Sequence, residues 1–275
     1  MRKRATRVAP GVGRRRFLAS GAASGAGLLF TGGAAALFGG CDRLSAAPTF
    51  RELLQRTEAL NQRVHRTLLW RGALAREYAE SDVSTPFRPN GSKDASSLPP
   101  DYPALAAGGF ADWHLEVTGL VLRPTRFSLA DLRQLPARTQ ITRHDCVEGW
   151  SCIGRWTGPQ LSTVLSHVGL HPDARFIVFR CADERPRWVR GVNRYYESID
   201  LVDALHAQTI LAYEMNGAPL PLAHGAPLRL RVERQLGYKM AKFLTAIEVT
   251  DRFPTVGRGR GGTWEDDGYE WYAGI

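Results

Sequence analysis

Cysteine is scarce in this 275-residue chain: four in all, at positions 41, 146, 152 and 181. None stands in a Cys-x-x-Cys pair, and no Cys-x-x-Cys-His occurs. A paired-cysteine zinc site, an iron–sulfur cluster and an attached c-type haem are thereby excluded. Internal repeats are absent, and so is a regular strand–helix alternation, which argues against a Rossmann-like fold and for a β-rich α+β domain. Acidic residues are missing from the first forty positions, which hold seven basic ones (Arg2, Lys3, Arg4, Arg7, Arg14, Arg15, Arg16). The rest of the chain then has 29 basic against 27 acidic residues, so the formal net charge of +9 is an N-terminal address and not a nucleic-acid-binding face.

That address is Arg14-Arg15-Arg16-Phe17-Leu18, which matches the twin-arginine export pattern, followed by an uncharged Ala- and Gly-rich run over 17–40. Folded export to the periplasm predicts a cofactor inserted beforehand. An uncleaved membrane anchor is the alternative to a cleaved signal, since about 20 apolar residues span a bilayer. Phe38-Gly39-Gly40-Cys41 is an imperfect lipobox that would place a lipid on Cys41, and Ser45-Ala46-Ala47 is a poorer cleavage site because Pro48 follows it. Three cysteines then remain, and Cys152 with Cys181 is a conceivable disulfide.

A hydrophobic content of 44% suffices for a core. We divide the chain into a signal segment (1–47), a helix and loop packed on the core (48–102) and one catalytic domain (103–275). Leu53, Leu54, Leu60, Val64, Leu68 and Leu69 recur mostly at three- and four-residue steps, predicting an amphipathic helix lying on the domain between 49 and about 78. Residues 82–102, rich in Ser, Pro, Gly and Asn, read as a loop able to carry a site. Trp113, Leu115 and Val117 alternate with polar neighbours as in a half-buried strand. Ser128-Leu129-Ala130-Asp131 has capping-box spacing with Asp for Glu. A strand over 140–144 delivers Cys146, Pro159 suits a first helical position, and Gly169 ends the helix that follows. Further on, 175–180 is a strand, Ser198 caps a helix, and Asn216-Gly217 marks a hairpin. Leu228, Leu230 and Val232 alternate with Arg229, Arg231 and Glu233, so Arg229 reads as an outward, solvated residue. Taken alone, Lys239 and Lys242 could be ordinary surface charge, and 243–250 reads as a last strand.

The stretch most suggestive of chemistry is Arg143-His144-Asp145-Cys146-Val147-Glu148-Gly149-Trp150. A thiolate suits a thiophilic metal, and Arg143 or a protonated His144 would lower its pKa while Asp145 and Glu148 oppose this. A buried structural cysteine is the plain alternative. Together with His224-Gly225-Ala226-Pro227-Leu228-Arg229 and Gly237-Tyr238-Lys239-Met240-Ala241-Lys242-Phe243, the stretch resembles successive motifs of the sulfite oxidase family of molybdopterin oxidoreductases, in its bacterial exported branch.

The resemblance covers residues from about 87 onward. It implies a single-domain, β-rich mixed fold of sulfite-oxidase type holding Mo-molybdopterin, with Cys146 as the protein thiolate on the metal. It implies cofactor contacts from His224 and Arg229, from the segment Met240, Ala241 and Lys242 at the phosphate end, and from Gly237 as a close-approach position. Phe87-Arg88-Pro89-Asn90-Gly91 is similar to a family loop that contacts the pterin through Asn90 and sends an arginine, here Arg88, toward the substrate; Arg88 is displaced by one place and Gly91 replaces a histidine. Cys181 and Asp183 fall at another cofactor contact. Tyr269, five residues after Trp264, resembles an active-site tyrosine, or else packs with Trp271 and Tyr272 in an aromatic tail.

Sulfite oxidases clamp their dianion with a second arginine five residues after the metal cysteine, where this chain has Ser151; Arg155 or Arg143 would have to compensate. The family's C-terminal dimerisation domain has no counterpart here, so a monomer, or a complex with a different partner, is expected. The resulting expectation is two-electron oxygen-atom transfer on a small, sulfur-containing substrate, with electrons exchanged with a cytochrome and membrane contact only through a signal anchor or lipid. Two rivals stand beside it: a pterin-binding module without turnover, and a cysteine hydrolase using Cys146 with His144 or His224 as base.

Overall fold

The computed structural model describes residues 48–68, 71–185, 193–253 and 256–275, so the export pattern, the lipobox cysteine and the alternative cleavage site lie outside the described residues. The chain divides into two compact units, Met1–Arg56 and Thr57–Ile275, and every strand belongs to the second. In chain order the elements used below are α1 (Pro48–Leu68), α2 (Tyr102–Ala107), β1 (His114–Gly119), β2 (Thr125–Ser128), α3 (Leu129–Gln134), β3 (Ala137–Asp145), β4 (Ser151–Pro159), α4 (Leu161–Val168), β5 (Phe176–Glu184), β6 (Arg194–Asp200), α5 (Leu201–Ala204), β7 (Ile210–Ala212), β8 (Glu214–Met215), β9 (Ala218–Pro219), β10 (Arg229–Arg231), β11 (Leu244–Thr250) and α6 (Thr263–Asp266).

Three sheets carry the domain. The largest has the order β2-β1-β11-β5-β6, parallel only between β1 and β11. A second, antiparallel sheet runs β3-β4-β8-β9, and β7 pairs with β10. Leu115 and Val117 of β1 point inward as their alternation predicts, and pack with Leu161, Val164, Leu165 and Val168 of α4 and with Ile177, Phe179, Ile247 and Val249. Phe87, Trp156, Ile210 and Met215 form a smaller second cluster. This is the mixed, β-rich α+β fold expected from the sequence. Local rules explain its joints. Ser128 accepts from the Asp131 backbone N–H and Asp131 accepts from that of Ser128, a capping box with aspartate. Asn216 and Gly217 take φ of 51° and 80° and turn β8 into β9.

Several expectations need correction. Pro159 ends β4 opposite Ala137 instead of opening α4, whose cap position is Gln160. Ser198 lies inside β6, and Asp200 caps α5 by accepting from the Asp203 N–H. β10 is buried on both faces: Arg229 and Arg231 are 1% and 0% exposed, stacked 5.0 and 4.4 Å from the Trp156 ring. Alternation there separates an aliphatic from a guanidinium layer, both inside. Cys152 and Cys181 sit in different core clusters as free thiols. The first helix ends at Leu68, and its apolar side faces outward: Leu60, Val64 and Leu68 are 59%, 41% and 77% exposed. Its charged side meets the domain instead, where Arg66 pairs with Asp200 and Asp203.

Candidate functional site

β3 and β4 pair from Ala137↔Pro159 up to Asp145↔Ser151, and residues 146–150 form the tip of this hairpin. The Cys146 N–H donates to the Trp150 carbonyl (2.9 Å) and the Gly149 N–H to the Cys146 carbonyl (3.0 Å). Gly149 makes the turn at φ +84°, a conformation that a side chain would strain. Cys146 is thus held half-exposed at a rigid tip.

The tip opens on a cleft. Its walls bring together Cys146, Asn90, Cys181, Asp183, Met240, Ala241, Lys242 and Tyr269, eight of the residues singled out in the sequence. Tyr195, Glu197, Tyr238 and Trp264 also line it, and sequence reasoning had not named them as site residues. Tyr269 stacks edge-on against Tyr238 (5.2 Å) and beside Trp264 (5.6 Å), while Trp271 and Tyr272 are the residues that tuck the tail down. Arg88 lies on the rim near the tip, exposed, 3.5 Å from Glu148 and 5.0 Å above the Trp150 ring. His224 and Arg229 are not wall residues. Arg229 sits beneath the wall, donating to the His224 carbonyl (3.0 Å), and the His224 ring meets Phe87.

Lys242 and Lys239 are the clearest departures from the surface reading. The Lys242 ammonium donates to the carbonyls of Asn90 (2.8 Å), Ser92 and Ala223 (2.9 Å), which uses its three N–H groups to pin the 90–92 loop to the cleft. Burial, then Arg229, lowers its pKa to about 7. Lys239 is fully buried between Glu197 and Glu265. Burial opposes its charge, yet the two carboxylates hold its pKa above the ordinary value. Glu197 is pushed well up, by burial first and by Glu265 second.

Nor is His144 a cation. Burial, then Arg231, drives its pKa well down, and Arg231 Nη1 donates to its Nδ1 at 3.0 Å. Nε2 of this neutral ring therefore carries the hydrogen. Gly237 makes its close approach to this ring, where a Cβ would lie 2.3 Å from Cε1. The Cys146 thiol is raised by burial, so nothing in the free protein activates it as a nucleophile. With its acceptor nitrogen taken by Arg231, His144 has no base to offer Cys146, which removes one arm of the hydrolase alternative.

Among the buried side-chain atoms without a hydrogen-bond partner are one on Arg229 and one on Asp183. Arg231 is neutralised by Glu233 (2.7 Å), but no carboxylate among the described residues pairs with Arg229, whose Nε is unbonded. Burial, then Arg231, lowers the Arg229 pKa to about 9. Asp183 accepts from Ser92 Oγ through Oδ2 (2.7 Å), while its Oδ1 has no partner. An unpaired cation beneath the wall and an unpaired acceptor on it fit a ligand that carries an anion and ring N–H donors.

Asp183 yields a pH prediction. Burial raises its pKa from 3.8 to about 6, so its contribution to stability is intact below about pH 4 and is lost as the pH rises through 6. For cofactor-free protein the loss is on the order of 3 kcal/mol. Asp183→Asn should flatten that slope in melting curves taken between pH 4 and 7.

A hairpin-tip thiol over a cleft with unpaired buried polar groups, on a β-rich mixed scaffold, is a site built to hold a ligand. Residues 103–255 match the family of the oxidoreductase molybdopterin binding domain, and the chain belongs to it, within the sulfite oxidase group of molybdopterin enzymes. The chain is 43% identical over 164 residues to an Azospira oryzae protein provisionally named protein-methionine-sulfoxide reductase subunit YedZ1, covering 60% of this chain and 56% of that one. It is 34% identical over 175 residues to the protein-methionine-sulfoxide reductase catalytic subunit MsrP of Gluconobacter oxydans (59% and 54%). A like-named protein of Xanthomonas campestris pv. campestris is 34% identical over 149 residues (52% and 46%). The chain thus spans about half the length of the curated relatives it matches. Among solved structures, the sulfane dehydrogenase SoxCD of Paracoccus pantotrophus aligns at 22% identity and a TM-score of 0.46, over 52% of this chain and 39% of that one.

Proposed function

We propose that the protein reduces a sulfoxide to a thioether at a molybdenum–molybdopterin site, with Cys146 as the thiolate on the metal. The observation that carries this reading is the half-exposed Cys146 thiol at a rigid tip, facing a cleft whose unpaired Asp183 oxygen and underlying Arg229 match the two ends of a pterin phosphate. When bound, the cofactor supplies the two-electron redox centre and the oxygen-accepting metal site. The overall change is R2SO + 2 e− + 2 H+ → R2S + H2O, with the electrons drawn from a redox partner protein, for which a cytochrome is the reading.

The chain's own residues hold and shape. Asp183 Oδ1 would accept from the pterin's N–H groups. Arg229, beside His224, would offset phosphate charge, with Met240 and Ala241 of the cleft wall alongside. Lys242 acts indirectly, by fixing Asn90 in the loop that closes the cleft. Tyr238, Tyr269 and Trp264 form an aromatic wall suited to a sulfur-bearing side chain, since sulfur packs well at ring edges.

Two features favour an uncharged sulfoxide over a dianion. Ser151 donates to Asp145 in place of the second arginine. The arginines able to compensate are engaged elsewhere, Arg143 with Asp145 (2.8 Å) and Arg155 with Glu80 (3.4 Å). The names of the relatives point the same way. Export through the twin-arginine route belongs to this proposal, because the cofactor has to be seated before such a cleft leaves the cytoplasm.

The test is a direct comparison of substrates on cofactor-loaded protein. Dye-linked reduction of methionine sulfoxide, free or in a protein, should proceed while sulfite oxidation is slow or absent. Efficient sulfite oxidation with sulfoxide untouched would overturn the reading.

The unpaired guanidinium makes a second, sign-reversing prediction. Arg229→Met should leave cofactor-free protein as stable or more stable, because it removes a buried cation that no carboxylate among the described residues pairs with, together with its desolvation cost. The same change should lower molybdopterin retention during purification. Melting temperature and pterin content are the readouts.

A further inference from the structure

The first helix is mounted with its charged side inward. Arg66 donates to Asp200 (3.0 Å) and Asp203 (2.8 Å), with its guanidinium 5.2 Å from the centre of the Tyr272 ring. Glu58 accepts from the Tyr272 N–H (3.0 Å), and His65 meets the Tyr272 hydroxyl (3.4 Å). These contacts set the helix's rotation. Rolling it to bury its leucines would strip Asp203 and Asp200 of their cation.

What faces out is a stripe. Leu60, Val64 and Leu68 follow each other at four-residue steps and so lie along one side of the helix, all exposed. Arg63, also exposed, flanks the stripe. Leu74, 55% exposed, stands between the exposed Arg71 and Arg76. Among the described residues from Thr57 to Glu77, these three arginines are exposed, and of the two acids Glu58 is turned to the domain while Glu77, exposed, pairs with Arg138. An apolar stripe with cationic flanks, whose nearby acids are both engaged, is complementary to anionic lipid headgroups.

We infer that this stripe rests on an anionic phospholipid bilayer surface. Three aliphatic side chains fall far short of the roughly 800 Å² per partner that a stable protein interface buries, which disfavours a second copy as the occupant. They would serve as one of the two signals that stable membrane anchoring takes. The other signal is in the sequence: the uncharged run over 17–40, preceded by the basic residues at 2–16, ends eight positions before Pro48. The inference does not depend on the redox chemistry.

The experiment uses the full chain with p-benzoylphenylalanine placed in turn at positions 60, 64 and 68. Position 122 serves as control, because Leu122 is 66% exposed outside the helix and reports proximity through tethering alone. The protein is reconstituted with phosphatidylethanolamine–phosphatidylglycerol vesicles and irradiated. Lipid adducts severalfold more abundant at the stripe than at 122, and reduced when phosphatidylcholine replaces phosphatidylglycerol, are expected. Adducts to a second copy, equal labelling at 122, or labelling indifferent to lipid charge would overturn the inference.

Discussion

Cys146→Ser should abolish turnover while leaving the fold almost unmoved. A serine hydroxyl is a hard, weakly acidic donor, whereas a thiolate is the soft ligand that a pterin-borne molybdenum takes. Altering a residue one contact removed from a metal costs about 10- to 100-fold, and loss of the ligand itself should exceed that range. The side chain is half-exposed at a hairpin tip whose closing bonds are made by backbone, so the melting temperature should change little. Sulfoxide-reduction kinetics and a melting curve on the same preparation check both halves. Turnover within about tenfold of the parent would remove Cys146 from the reacting centre.

Lys239→Met should do the opposite, acting on stability first. The ammonium is the one cation between two carboxylates that are themselves buried, and each carboxylate has a second oxygen without a partner. Removing one member of such a group costs about 3–5 kcal/mol, a large share of a domain's net stability. The sign of the pH dependence identifies the cause. Glu197 already sits well above its ordinary pKa, and without the ammonium both glutamates must take up protons to stay buried. The deficit should therefore be largest at neutral pH and shrink as the pH falls through the carboxylate range. Adding Glu197→Gln and Glu265→Gln should restore much of the loss. Denaturant unfolding at pH 5 and pH 8 separates this from a plain packing defect, which would cost the same at both.

The parts legible in the sequence are those set by local rules. Alternation placed Leu115 and Val117, capping chemistry placed the Ser128 start of α3, and Asn216-Gly217 placed a hairpin, since each depends on residues a few positions apart. The cleft was legible only through family motifs. Asn90, Cys146, Asp183 and Lys242 come from four separate segments, and no periodicity joins them. What escaped were buried charges. Arg229, Arg231, Lys239 and Lys242 look like surface residues by type, and only their distant partners, Glu265 or the Trp156 ring, make their burial tolerable. The outward apolar side of the first helix escaped for a related reason: the ion pairs of Arg66 with Asp200 and Asp203 override the hydrophobic pattern.

Molybdenum quantification on the purified full chain, beside Cys146→Ser and with X-ray absorption at the metal edge, tests the central claim most directly. A protein-bound thiolate site predicts about one molybdenum per chain in the parent, as expected for one pterin cleft per domain, and one sulfur fewer around the metal in the variant. Protein made in a host competent in pterin synthesis that contains no molybdenum, or a sulfur count unchanged by the substitution, would contradict it.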